Sequence, residues 1–118
     1  MLLLVALAAC DGGSSAHVPS MAGHSFSTVE AEPGDLVKWF NDTDEAHTVT
    51  AVEESLPNGV PYFSSGGAPS EDAANENLTE ELIGPGESFE WTFEEPGTYR
   101  YYCIPHRADG MTGTVVVE

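Results

Sequence analysis

From His24 onward the chain is written in short runs where apolar and polar side chains alternate, each run closed by a turn. Ser25-Phe26-Ser27-Thr28-Val29-Glu30 is rich in strand-favouring residues, and Pro33-Gly34-Asp35 turns the chain after it. Leu36-Val37-Lys38-Trp39-Phe40 runs into the polar turn Asn41-Asp42-Thr43-Asp44-Glu45. His47-Thr48-Val49-Thr50-Ala51-Val52 is β-branched and flanked by acidic residues. Ser88-Phe89-Glu90-Trp91-Thr92-Phe93 sets three aromatics against three polar residues, the clearest half-buried strand in the chain. Thr98-Tyr99-Arg100-Tyr101-Tyr102-Cys103 and Gly113-Thr114-Val115-Val116-Val117-Glu118 follow. Runs this short, at this spacing, predict an all-β domain: a Greek-key antiparallel β-sandwich of about seven or eight strands.

One stretch breaks the pattern. Residues 53–77 hold Pro57, Asn58-Gly59, Pro61, Ser64-Ser65-Gly66-Gly67 and Pro69, so a long irregular loop is expected there, with a short helical turn near Glu71–Ala74. A theme also repeats. Pro33-Gly34-Asp35-Leu36-Val37-Lys38-Trp39 and Pro85-Gly86-Glu87-Ser88-Phe89-Glu90-Trp91 both read Pro-Gly-acid-x-apolar-x-Trp, which predicts similar turn-and-strand geometry in two sheets.

Composition narrows the function. The 118 residues suffice for one domain and a modest core. Against 20 acidic residues stand 3 basic ones, a formal net charge of −17, so a nucleic-acid partner is excluded. Carboxylates in nearly every segment read as a solvated shell, and an excess this large fits a saline milieu where cations offset self-repulsion. The protein is expected to be a monomer.

The first residues carry a different signal. Met1 to Ala9 are apolar but far too short to span a bilayer, which takes about 20 residues. Leu7-Ala8-Ala9-Cys10 resembles a lipobox, with Cys10 lipidated as the mature N-terminus and Asp11-Gly12-Gly13-Ser14-Ser15 a polar tether. The segment lacks the basic n-region of a full signal, which leaves the translation start open. The expected organisation is therefore a signal-peptide remnant at 1–9, a lipid-anchor cysteine and flexible tether at 10–23, and one folded domain at 24–118. That places the protein on the extracytoplasmic face of the membrane. With Cys10 acylated, Cys103 is a lone thiol in an oxidising compartment, a liability unless a metal occupies it.

The chemistry gathers around that thiol. Cys103-Ile104-Pro105-His106 and Met111 place a thiolate, an imidazole and a thioether within nine residues, and His47 supplies a second imidazole from another strand. Two His and one Cys with a weak axial Met define a blue-copper site. Pro105 shapes the loop in advance, Gly110 permits the tight return to Met111, and Gly113 releases the chain into its last strand. A backbone N–H near Thr48 is expected to reach the Cys103 sulfur, and Asn41 to tie the His47 loop to the Cys103 strand. His17 and His24 are read as non-ligands. Asn41-Asp42-Thr43 and Asn77-Leu78-Thr79 match the glycan acceptor pattern.

With these residues in place, the quartet resembles the copper-binding pattern of the small blue-copper proteins such as plastocyanin and pseudoazurin. The lipobox, the acidic excess and Tyr101-Tyr102-Cys103-Ile104-Pro105-His106 make the chain similar to the halocyanins, their membrane-attached relatives in salt-loving archaea. The resemblance covers roughly residues 24–118. It implies a cupredoxin sandwich with one copper ion that shuttles single electrons between membrane-bound redox complexes. It sets His47, Cys103 and His106 in the trigonal plane and Met111 on the axis. An enzyme with a second copper cluster would need further paired histidines, and a binuclear centre a second loop cysteine; a copper-trafficking module would need exposed, exchangeable ligands. Partners are expected to dock on a small apolar patch of Ile104, Pro105 and the exposed His106 edge, extended by Pro61, Tyr62 or Phe63.

Overall fold

The computed structural model describes residues 15–118. The signal remnant and Cys10 lie outside the described residues. Among these, seven strands form two sheets: β1 (Ala16–His17), β2 (Val29–Ala31), β3 (Asp35–Phe40), β4 (Thr50–Ala51), β5 (Ser88–Phe93), β6 (Gly97–Tyr102) and β7 (Thr112–Val117). One sheet has the order β1-β3-β5, the other β2-β7-β6-β4.

The expected sandwich is there, with one refinement. Two pairs run parallel, β1 with β3 and β2 with β7. Both pairs join strands that are not consecutive in the chain, whereas the consecutive strands β6 and β7 pair antiparallel.

Alternation decides the faces. In β3 the side chains of Asp35, Val37 and Trp39 are buried while the intervening ones are less so. Phe93, Tyr99, Tyr101 and Val115 close the core from β5, β6 and β7. Trp39 is fully buried, stacks on its cross-strand partner Phe89 at 5.5 Å, and donates its Nε1–H to the Tyr101 hydroxyl at 3.1 Å. A buried indole needs such a partner.

The repeated Pro-Gly-acid segments do adopt matching turns, but in one sheet rather than two. β3 and β5 pair antiparallel, with Val37 opposite Trp91. Each turn glycine has positive φ and donates its N–H to the far end of the other segment, Gly34 to Phe93 O and Gly86 to Asn41 O, both at 2.7 Å. Each acid then braces its own turn by accepting an N–H three residues back: Asp35 from Glu32 at 2.9 Å, Glu87 from Gly84 at 2.7 Å.

Within the described part of the tether expected over 10–23, the chain is instead part of the fold. Ser15 donates its N–H to Asp35 Oδ1 at 2.8 Å, β1 pairs with β3, and Met21 is buried in the core. The folded domain therefore begins by residue 15, because Ala16–His17 extend the sheet and Met21 fills its base. Residues 53–77 are likewise more ordered than a loop. Ser64 bridges Thr50, Phe63 is buried, and α1 (Glu71–Glu76) starts at Ser70, whose hydroxyl accepts the Ala73 N–H at 3.1 Å. A second short helix, α2 (Leu78–Glu81), had no periodicity long enough to announce it.

Candidate metal centre

His47 reaches the end of the sandwich just before β4. Its backbone is clamped to Ile83 from both sides, N–H to O at 3.1 Å and O from N–H at 2.7 Å. The Nε2 atom lies 3.0 Å from Thr43 Oγ1. That hydroxyl gives its proton to a carbonyl, Asn41 Oδ1 at 2.6 Å or Glu45 O at 3.1 Å, so it accepts from Nε2–H. The tautomer leaves the Nδ1 lone pair free, and Nδ1 faces the Cys103 sulfur at 3.7 Å.

Asn41 serves the site differently from expectation. Its amide donates to Glu45 O at 2.7 Å and Ile83 O at 2.8 Å, both beside His47, and it makes no bond to the Cys103 strand. With no exposed surface it is also closed to glycosylation, whereas Asn77 is exposed. Thr48 makes the cross-link instead: its N–H points at Cys103 Sγ at 3.4 Å, and its hydroxyl accepts the Ile104 N–H at 2.8 Å.

Cys103 leaves β6 fully buried, and its N–H donates to Met111 O at 3.0 Å. The turn over Ile104 and Pro105 closes with the His106 N–H on Cys103 O at 3.3 Å, bringing His106 Nδ1 to 3.3 Å from Sγ. Gly110 takes φ 84°, as the tight return requires, and the Met111 N–H comes back to His106 O at 3.2 Å. Met111 is buried. Gly113 has a different reason from the one expected: a Cβ there would collide with the Tyr101 ring opposite it.

Burial favours the neutral form of both inner donors. Burial pushes the Cys103 thiol up, with the Thr48 N–H pulling the other way. Burial pushes His47 down, so its imidazole stays neutral and available as a donor. A metal that displaces the thiol proton supplies the positive charge that a buried thiolate needs.

The donor set fits a trigonal ion. The ligating atoms of His47, Cys103 and His106 all lie within 4.8 Å of one another. Metal–thiolate and metal–imidazole bonds of about 2.3 and about 2.0 Å at a trigonal angle put sulfur and nitrogen about 3.7 Å apart. The observed separations of 3.3 and 3.7 Å need little adjustment. Thiolate with imidazole is a donor set that copper accepts in both oxidation states.

Two neighbours complete the picture. His17 binds Asp35 at 2.9 Å, outside this cluster. His24 lies directly against the site, its ring stacked on His106 with centroids 3.9 Å apart. The His106 edge is therefore not open as expected. Its side chain is 16% exposed, while Pro105 is exposed and Ile104 half-buried. Pro61 lines a cavity of about 220 Å³ with Phe93, Glu94 and Tyr99, and Phe63 is core, so neither joins the patch. Thr43 escaped sequence reading because it looked like the third residue of a glycan acceptor. His24 escaped because nothing in Met21-Ala22-Gly23-His24 announces a ring stacked over the loop.

Two facing β-sheets with a buried Cys, two His and a Met at one end define a cupredoxin with a single type 1 copper site. A family model described as copper binding proteins, plastocyanin/azurin family, matches residues 17–118. Plastocyanin of Vicia faba is 35% identical over 116 residues, covering 97% of this chain and 98% of that one. Plastocyanin of Scenedesmus fuscus is 34% identical over 92 residues, covering 78% and 83%. Among solved structures, a reduced amicyanin mutant superposes with a TM-score of 0.64 at 27% identity, covering 87% of this chain and 82% of that one. A purple cupredoxin from Nitrosopumilus maritimus gives 0.54 at 28%, covering 77% of each. The chain belongs to the plastocyanin/azurin family of copper binding proteins, which carry electrons and are not enzymes.

Proposed function

We propose that this chain is a lipid-anchored electron carrier on the extracytoplasmic face of a membrane, passing single electrons between membrane-bound redox complexes. His47, Cys103 and His106, together with Met111, would hold one copper ion. The convergence of the two imidazole Nδ1 atoms on one buried sulfur, at 3.3 and 3.7 Å, carries this reading. Copper supplies the one-electron Cu(I)/Cu(II) change. The protein supplies a cage whose backbone is fixed independently of the ion: His47 by Ile83, Cys103 by Met111, and His106 by the turn it closes. A cage that moves little as charge changes keeps the electron step fast. The Thr48 N–H aimed at the sulfur stabilises thiolate charge and so sets the potential.

The ion pairs well with this chain's chemistry but zinc also takes thiolate–imidazole sites. The visible and EPR spectra of copper-loaded protein test the assignment. An intense thiolate-to-copper band with one EPR-active copper per chain is expected, and Cys103→Ser should abolish the band; a colourless wild type overturns the reading. Anchorage through Cys10 has its own test. A Cys10→Ser variant should leave the membrane fraction and lose incorporated fatty acid, and its retention in the membrane would remove the lipid from the proposal.

The acidic surface supports a saline setting and, within it, a halocyanin-like role. In molar salt the screening length falls to about 3 Å, so contact rather than long-range attraction selects partners.

A further inference from the structure

His24 stands outside the quartet, yet the protein goes to some length to place it. Its ring lies nearly parallel to His106, with planes 22° apart and centroids 3.9 Å apart. Two carboxylates hold it from opposite edges, Glu45 Oε1 at 2.6 Å from Nε2 and Asp109 Oδ2 at 3.2 Å from Nδ1. Its backbone takes φ 54°, the one positive-φ non-glycine residue among those described. Such conformations persist only where the surroundings over-determine them, and they gather at functional sites. Those surroundings are visible: Met21 is buried on one side, and the Ser27 N–H donates to Ser20 O at 3.2 Å while the Ser20 N–H donates to Ser27 Oγ at 2.9 Å. A surface His–carboxylate pair needs neither the left-handed backbone nor the overlap of rings.

The arrangement changes what a partner meets. His106 is covered on one face by His24, and its Nε2 edge looks toward Glu45 at 3.5 Å, which leaves 16% of the side chain exposed. His24 is 36% exposed. We infer that His24 is the outermost ring of the electron path, so that an electron tunnels between a partner and the metal centre through the stacked His24 and His106 rings, neither ring itself changing oxidation state. The docking surface is then centred on His24 and Pro105. This inference rests on the electron-carrier reading above.

A second copy of the chain, in molar salt that screens the net charge of −17, is the simplest partner. In self-exchange one copy is oxidised and the other reduced by the same electron; no proton moves and no bond forms or breaks. Self-exchange can be read from NMR line broadening in mixtures of reduced and oxidised copper-loaded protein. His24→Ala should keep the thiolate-to-copper band and slow self-exchange severalfold, because the His106 ring then sits at the bottom of a pit. His24→Phe should restore the rate by restoring a stacked ring. An His24→Ala rate equal to or above wild type overturns the inference, since His24 would then only shield the centre. The stack itself is measurable without copper. In the metal-free protein the His106 ring-proton resonances should move downfield in His24→Ala and stay in place in His24→Phe; no movement in His24→Ala also overturns it. Absence of the band in the wild type sinks the electron-carrier reading instead, whereas an intact band with an insensitive rate sinks only the role of His24.

Discussion

Thr43 is the least conspicuous residue that the site depends on. Its hydroxyl accepts from His47 Nε2–H and passes its own proton to a carbonyl, which fixes the imidazole tautomer and its angle. Removing such an outer partner from a metal-ligating His typically weakens metal binding 10–100-fold. Thr43→Val should therefore bind copper about 10–100-fold more weakly while folding normally, a difference that competition with a chelator reports directly. The metal donors themselves were legible in the sequence, since thiolate, imidazole and thioether at that spacing have few other uses. Their supports were legible only in part: the Thr48 N–H aimed at the Cys103 sulfur was expected, the Thr43 hydroxyl on His47 was not. Asn41 acts through the carbonyls of Glu45 and Ile83, and Ile83 is 36 positions beyond His47, a distance that only the folded chain closes.

At the scale of elements, the strands beyond β1 and their faces followed from alternation, and the turns from Pro-Gly, whereas β1 lay in a stretch read as tether. What alternation does not encode is which strand neighbours which, so the parallel β1–β3 and β2–β7 pairs and the joining of the two Pro-Gly-acid segments in one sheet came only from the structure. Residues 53–77 read as irregular because Phe63 and Ser64 are too few to make a period, although one fills the core and the other bridges Thr50. The β6–β7 ladder offers a direct check. Gly113 leaves its space to the Tyr101 ring, so Gly113→Ala should destabilise the protein by about 1–3 kcal/mol as overpacking, measured by urea unfolding of the metal-free form. The β1–β3 contact offers another. The His17 imidazole, followed by the Ser15 and Glu32 N–H groups, holds the Asp35 carboxyl down to about 2 from its ordinary 3.8. Because the folded-state value is the lower one, the unfolded chain takes up the proton first. The contribution is then complete above about 4 and disappears as pH falls toward 2. Acid unfolding of Asp35→Asn should lack this component, seen as a shallower dependence of stability on pH in that window.

For the molecule as a whole, charge is the dominant fact. A net −17 on 118 residues stores self-repulsion that the folded state concentrates and the unfolded state dilutes. Salt screens it, so the urea midpoint of the metal-free protein should climb as sodium chloride is raised from the millimolar to the molar range, and a midpoint that falls would count against adaptation to brine. Just three cationic side chains are present, Lys38, Arg100 and Arg107, and Arg107 lies over the Tyr102 ring at 4.0 Å, beside the copper loop.

The double clamp between His47 and Ile83 has a last consequence. Both bonds are main chain to main chain, so the backbone that carries the imidazole is held whether or not anything has arrived for it to bind, and Thr43 holds the ring. A polypeptide built this way can fold empty and be filled afterwards. Losing the ion then leaves a vacant but intact receptacle, and refilling it calls for no refolding.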